Sequence, residues 1–401
     1  MLNKVGDFVL QKKVLFALFV IFALFASIQA LMSGNKTFLD GGLEYTHYNN
    51  YVIFEQSFHH LLENKDLYIL YPQEQWDLFK YTPTFSAFFG LFAIFPDWLG
   101  FNLWNLCNAL VLLFSVYYLP KLTDKQKGLI LLLSLVELMT SLQNGQSNAL
   151  MAGLLILTLG LLEKEKLLLA TLCVVLSVYI KLFGIVGFAL FLFYPKKLKL
   201  ILYSVLWTIL LFAIPLIFVS FEHYMKLFSS YGNMLINDHA TSYGYSVMGW
   251  LNSWFGFDIN KLFVVLSGAL IFLLPFYKIQ NFKYFMFRIL VLSSILIWIV
   301  IFNHKAESPT FIIAMAGVAL WFVARPKNYI NIALFVGAFV LTSLSPTDIF
   351  PRFLREEFVN QYNLKVFPCI LIWFKIIFDQ LTFKTEMEEI ASGNVGPVEN
   401  Q

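Results

Sequence analysis

Charge is what this chain has least of. Asp, Glu, Lys and Arg make up 13% of its 401 residues, about half the share of a soluble domain. That excludes a soluble globular enzyme, and the 59% apolar content excludes a disordered chain. The net charge of +3 is too small for a nucleic-acid binder. Cysteine is scarce too, and Cys107, Cys173 and Cys369 all lie inside apolar stretches. No CxxC and no Cys/His ligand spacing exists, so the thiols read as buried packing residues and no structural metal is expected. Also missing is an internal repeat, which the two matching halves of many transporters would leave.

What the chain has instead is apolar blocks along its whole length. They run at 13–32, 99–119, 128–142, 147–162, 167–180, 183–194, 198–219, 260–277, 284–302, 310–324, 329–344 and 366–381. A spanning helix needs about 20 apolar residues, so these predict an all-α, polytopic integral membrane protein of about twelve spans. The first block follows Lys4, Lys12 and Lys13 like a secretory signal, but the later spans favour an uncleaved helix. A further stretch, 84–95, reads as a re-entrant or interfacial segment. Residues 1–381 are expected to form one transmembrane domain, with 382–401 as a cytoplasmic tail.

Positive charge orients the set. Lys121, Lys125 and Lys127 share one loop, Lys164 and Lys166 the next, Lys196, Lys197 and Lys199 a third; Arg325 and Lys327 lie in the last. Both termini are then cytoplasmic and 33–98 is a large, helical extracytoplasmic first loop. It holds eight acidic residues against three lysines. The other outward loops are 143–148, the turn at Lys181, 221–259, 303–308 and 345–365. Nearly every unusual polar residue falls on this face. No DxD or glycine-rich phosphate loop stands in an exposed cytoplasmic segment, so no nucleotide site is expected there.

Within the first loop, Tyr51, Phe54, Phe58 and Leu61 have helical spacing, so 48–62 is expected to lie in the interface plane as an amphipathic helix. The outward turn Gln143-Asn144-Gly145-Gln146-Ser147-Asn148 is an ordinary polar turn or lines a cavity, where amides suit a hydroxyl-rich ligand. Lys181 is the one permanent charge in the run 167–193. A snorkelling lysine would account for it, but its outward position breaks the positive-inside trend and favours a phosphate ligand. In Asn303-His304-Lys305-Ala306-Glu307-Ser308-Pro309, Lys305 and Glu307 either pair with each other or supply a second phosphate-binding arm.

Here a resemblance enters. Asn50-x-x-x-Phe54 precedes Leu61-Leu62-x-Asn64-x-Asp66-Leu67-Tyr68 and then Lys80-Tyr81-Thr82-Pro83. This resembles the first outward loop of the C-type membrane glycosyltransferases, specifically the family 87 mannosyl- and arabinofuranosyltransferases. Gly145-Gln146-x-Asn148 is similar to that family's outward Gly-Gln-x-Asn turn, and Ile180-Lys181 to its lysine after the following helix. Tyr245-Ser246 and Ser308-Pro309 match later motifs, and the likeness runs from the first span to about Pro368.

The resemblance implies a polyprenyl-phosphate sugar donor, a lipid or cell-envelope glycan acceptor, no cofactor, and a site facing the periplasm from the plasma (bacterial inner) membrane. It places Tyr81, Gln146, Asn148 and Lys181 at the substrates, and the shared outward depth of the polar turns adds Asn144, His304, Lys305 and Glu307. The family's catalytic Asp position is Asn50 here, and an amide has no usable basicity. The acceptor proton is therefore expected to go to Glu44, with His47, Asp40 and Glu55 behind it. A transporter or lipid flippase, and a non-catalytic scaffold because of Asn50, are the alternatives.

Overall fold

The computed structural model describes residues 6, 8–38, 42–237 and 243–384. The long helices are α1 (Lys12–Met32), α2 (Asn49–Leu62), α3 (Pro83–Ala93), α4 (Asp97–Tyr118), α5 (Asp124–Gln143), α6 (Asn148–Glu163) and α7 (Leu167–Ile180). A 3₁₀ segment, Leu182–Phe193, follows. Then come α8 (Lys197–Ala213), α9 (Phe221–Asn237), α10 (Val247–Phe255), α11 (Lys261–Leu273), α12 (Phe285–Ile301), α13 (Phe311–Ala324), α14 (Tyr329–Ala338) and α15 (Phe367–Leu381). Strands β1 (Asn35–Thr37) and β2 (Glu44–Thr46) form a small antiparallel hairpin. The chain is all-α in architecture.

The interior is built on α6, α12 and α13, which are buried almost all round. Helices hydrophobic on every face belong inside a larger bundle. Small residues set the closest approaches: a Cβ on Gly153 would stand 3.0 Å from the α4 backbone, and one on Gly317 2.8 Å from the Ser293 carbonyl. At the periphery the pattern reverses. Leu198, Ile201, Leu202, Ile209, Leu262, Phe263 and Leu270 on α8 and α11 are exposed and apolar. Exposed apolar area on that scale marks a lipid-facing surface, and the protein is an integral membrane protein.

Every apolar block is helical, but helix length does not establish the count of about twelve spans. Among the described residues, 3 helices are long and apolar enough to cross a membrane: Lys12–Met32, Asp97–Tyr118 and Lys197–Ile217. The others are shorter or, as in α5, carry polar residues such as Ser134, Glu137 and Ser141 on their buried face. Short helices can sit in the bundle because their neighbours, not lipid, satisfy them.

Other details also differ from expectation. Helix α2 is buried on its polar side as well as on its apolar one. Its Asn49, Glu55, Ser57 and His60 are buried along with its aromatic face, because α3 and the following loop wrap it. The 84–95 stretch is the buried α3, capped by Thr82, whose hydroxyl accepts the Phe85 N–H. Lys365, assigned to an outward loop, is instead buried against Glu137 of α5 at 2.8 Å. Asp40 and the tail beyond 384 lie outside the described residues.

Candidate functional site

The start of α2, the α5–α6 turn, the end of α7 and the loop before α13 meet at one end of the bundle. Their positions are set locally. Asn49 exchanges two hydrogen bonds with the Trp76 backbone, at 2.8 and 2.9 Å, and so fixes the entry of α2. One residue on, Asn50 Nδ2 donates to the Asn144 carbonyl at 2.9 Å. Gly145 turns the α5–α6 connection at φ +61°, a conformation that costs glycine little. Trp104 Nε1 donates to the Gly145 carbonyl at 2.8 Å and pins the turn from below. Thr82 donates to the Tyr179 carbonyl at 2.5 Å, which brings Tyr81 beside the end of α7.

Helix α7 stops at Lys181, whose backbone is extended. Its Nζ donates to Asn148 Oδ1 at 2.7 Å and to Gln146 Oε1 at 3.5 Å. Asn148 Nδ2 donates onward to the Pro309 carbonyl at 3.0 Å, so the amide cannot turn its oxygen away from the lysine. The ammonium stands 5.5 Å from the Tyr81 ring centre, and the Glu307 carboxylate acts on it electrostatically. Neutral acceptors and an aromatic face hold this cation while leaving much of its charge for a ligand.

These groups surround a cavity of about 290 Å³. Its polar wall includes Asn50, Asp77, Lys80, Tyr81, Gln146, Lys181, Asn303, Lys305 and Glu307. Three lysines against two carboxylates leave it net positive, and Asp77 is held by Lys80 at 2.8 Å. A second, apolar groove of about 230 Å³ shares Leu182 and Tyr231 with it, and is walled by Val175, Val178, Phe188 and Phe228. A cationic chamber opening onto an apolar groove suits an amphiphile with an anionic head.

The structure thus brings Asn50, Tyr81, Gln146, Lys181, Lys305 and Glu307 to one cavity, with Asn148 behind them. It does not bring the rest. Glu44 is exposed on β2, where strand alternation turns it opposite to the buried Tyr45. His47 does not line the cavity; burial, then Lys36, holds its pKa below the usual value, which weakens it as a base. Asn144 reaches the site only through its carbonyl, since its side chain bonds back to Thr140 at 2.8 Å. His304 packs its carbonyl against Gly244 and is not on the wall.

Glu55 is buried and hydrogen-bonded to Asp97, and desolvation followed by that neighbour raises its pKa to about 8. It does not line the cavity. Asp77, Lys80 and Asn303 also line the cavity, although the sequence motifs that contain or flank them did not single them out as site residues; the i,i+3 spacing of Asp77 and Lys80 just before Tyr81 was the available signal. Among the described residues no group of three or more His, Cys, Asp or Glu could hold a metal ion.

The family model for Glycosyltransferase family 87 matches residues 79–346. No curated protein matches the sequence. Among solved structures, ArnT from Cupriavidus metallidurans bound to undecaprenyl phosphate aligns at a TM-score of 0.43 and 12% identity, over 92% of this chain and 77% of that one.

Proposed function

The chain belongs to glycosyltransferase family 87, and from that premise we propose a donor, an acceptor class and a side of the membrane for this membrane glycosyltransferase. The donor is a polyprenyl-phosphate sugar. The acceptor is a lipid or cell-envelope glycan, and transfer takes place on the outer face of the plasma membrane, within one transmembrane domain spanning 1–381. Family membership does not favour the transporter, flippase or scaffold alternatives.

The observation that carries the donor is Lys181, held by Asn148 and Gln146 where the cationic cavity meets the apolar groove. A phosphate at Lys181, with Lys80 and Lys305 around it, would direct the first prenyl units past Leu182 and Tyr231 into the groove. When the bond from the sugar to the phosphate breaks, the negative charge grows on the phosphate oxygen. Preorganised cations in a partly dry site stabilise that charge.

Orientation is supported by the opposite ends of the same helices. Away from the cavity, Lys164 stands 3.5 Å over the Tyr118 ring, Lys12 pairs with Asp124 at 3.1 Å, and Lys196 with Glu165 at 2.6 Å. That end gathers the short basic loops, as a cytoplasmic face does.

The test uses the purified full-length protein in nanodiscs. Farnesyl phosphate is expected to bind, farnesol to bind far more weakly, and Lys181→Ala to lose most of the difference. Equal binding of phosphate and alcohol would sink the donor assignment.

A further inference from the structure

Glu307 lines two cavities, and the second has a different chemistry from the first. It measures about 610 Å³, and its polar wall is Tyr243, Tyr245, Asn252, Ser308, Asn360 and Asn363. Among the described residues no lysine or arginine lines it. Backbone glycines form the floor. Gly244 sits at φ +51°, where a Cβ would come 2.7 Å from the His304 carbonyl and 2.8 Å from that of Ala306. A Cβ on Gly249 would come 2.2 Å from the Gly244 carbonyl, so neither position tolerates a side chain without movement. Tyr245 N–H donates to the Ala306 carbonyl at 2.9 Å and joins this floor to the Glu307 loop.

The wall is half committed to the protein. Asn363 Nδ2 donates to the Gly249 carbonyl at 3.0 Å, and Tyr245 OH donates to Asn360 Oδ1 at 3.3 Å. Among the described residues no protein group bonds the opposite half of each amide, Asn363 Oδ1 and Asn360 Nδ2, and Ser308 Oγ is buried with no partner. Amides that offer both donors and acceptors, a hydroxyl and tyrosine rings match an uncharged, hydroxyl-rich ligand. Among the described residues no cation lines the cleft for a phosphate, and the nearby Lys261 stands over the Tyr243 ring at 5.3 Å.

We propose that this cleft holds the terminal sugar of the acceptor glycan, and that Glu307, between the two cavities, takes the acceptor's proton. The proposal rests on the donor reading above and assigns the other substrate. Glu307 accepts the Thr310 N–H in a capping box, which fixes its carboxylate at the start of the helical turn. In the step, the acceptor oxygen bonds to the anomeric carbon and its proton passes to Glu307. The anomeric carbon–oxygen bond to the lipid phosphate breaks, and its electron pair leaves on the phosphate beside Lys181. Direct displacement of this kind inverts the anomeric centre. Asn50 then needs no basicity, because its place in the wall is to position.

The probes are octyl glycosides of mannose, glucose and galactose, measured by saturation-transfer NMR on the full-length protein, with farnesyl phosphate as the donor-side control. At least one glycoside is expected to bind wild type, and to bind Asn252→Ala and Asn360→Ala about 2–10-fold more weakly, the cost of one hydrogen bond. Farnesyl phosphate should bind both asparagine variants alike, which also shows that they fold. Transfer from a panel of decaprenyl-phosphate hexoses and pentoses should fall by about 10²–10⁴-fold in Glu307→Gln, as loss of a general base does, while glycoside and farnesyl phosphate both still bind, the phosphate no more weakly than to wild type because an anion near Lys181 is gone. Glycosides that bind none of the proteins, or bind wild type and both asparagine variants equally, overturn the cleft. Near-normal transfer by Glu307→Gln overturns the base. A wild type that transfers from no donor strikes the proposed function and the base with it, while glycoside binding still judges the cleft.

Discussion

Lys181 and Asn148 form a fixed pair. The ammonium donates to Asn148 Oδ1 at 2.7 Å, and the other half of the same amide is tied to the Pro309 carbonyl at 3.0 Å. The lysine is therefore positioned by a neutral partner that does not consume its charge. A carboxylate there would hold it just as firmly and neutralise it.

That contrast gives the first prediction. Lys181→Ala should weaken farnesyl phosphate binding by about 10–100-fold, the range for a hydrogen bond to a charged group. Asn148→Asp keeps the size and the geometry but adds a competing anion, so it should weaken binding as well. If Asn148→Asp binds as tightly as wild type in isothermal titration, the phosphate is not at Lys181.

A second prediction concerns pH. Burial, then the Asp97 charge and hydrogen bond, raise the Glu55 pKa from 4.5 to about 8. Between those values the folded protein holds a proton that the unfolded chain has released. Stability therefore falls as pH rises from about 4.5 through about 8, and its contribution is fully present only below that window. Thermal unfolding in detergent should show a midpoint that declines across this range. Glu55→Gln, neutral at every pH, should remove that part of the decline, and an unchanged pH dependence in the variant would rule Glu55 out as its source.

Orientation can be tested independently of ligands. In a variant lacking Cys107, Cys173 and Cys369, an impermeant thiol reagent applied to intact cells should label Glu74→Cys and not Lys125→Cys. The reverse pattern would place the cavity on the cytoplasmic face and remove the outer-leaflet donor with it.

How much of this was legible in the sequence depended on range. Lys181 was legible because one cation in an apolar run is locally conspicuous, and Gln146 and Asn148 because a polar turn between apolar helices is costly. Glu44 misled because spacing along the chain does not show which way a residue faces on a hairpin of undetected register. Its neighbour Tyr45 is the one that points inward, bonding the Pro72 carbonyl at 2.7 Å. The second cavity was illegible for a different reason. Tyr245 meets Asn360 across 115 positions and Asn363 meets Gly249 across 114, and nothing local in those loops announces the pairing.

The last prediction takes up the longest of these unforeseen pairings. Lys365 Nζ donates to Glu137 Oε1 and to the Thr342 carbonyl, both at 2.8 Å, across 228 and 23 positions. Glu137 is 0% exposed and Lys365 2%. Thr342 returns a bond to the Lys365 carbonyl at 2.7 Å, so the pair clamps the helical turn Phe339–Leu344 and the start of α15 onto α5. Charges this deep are costly to desolvate, and the cost is offset only while both are present. Lys365→Met should therefore destabilise the protein by roughly 3–5 kcal/mol, because it strands a buried carboxylate. Glu137→Leu combined with Lys365→Met replaces the pair by apolar groups and should recover most of that loss. Unfolding midpoints of the single and double variants in one detergent decide it. A double variant no more stable than Lys365→Met alone would mean that the clamp depends on the Thr342 contacts rather than on the ion pair.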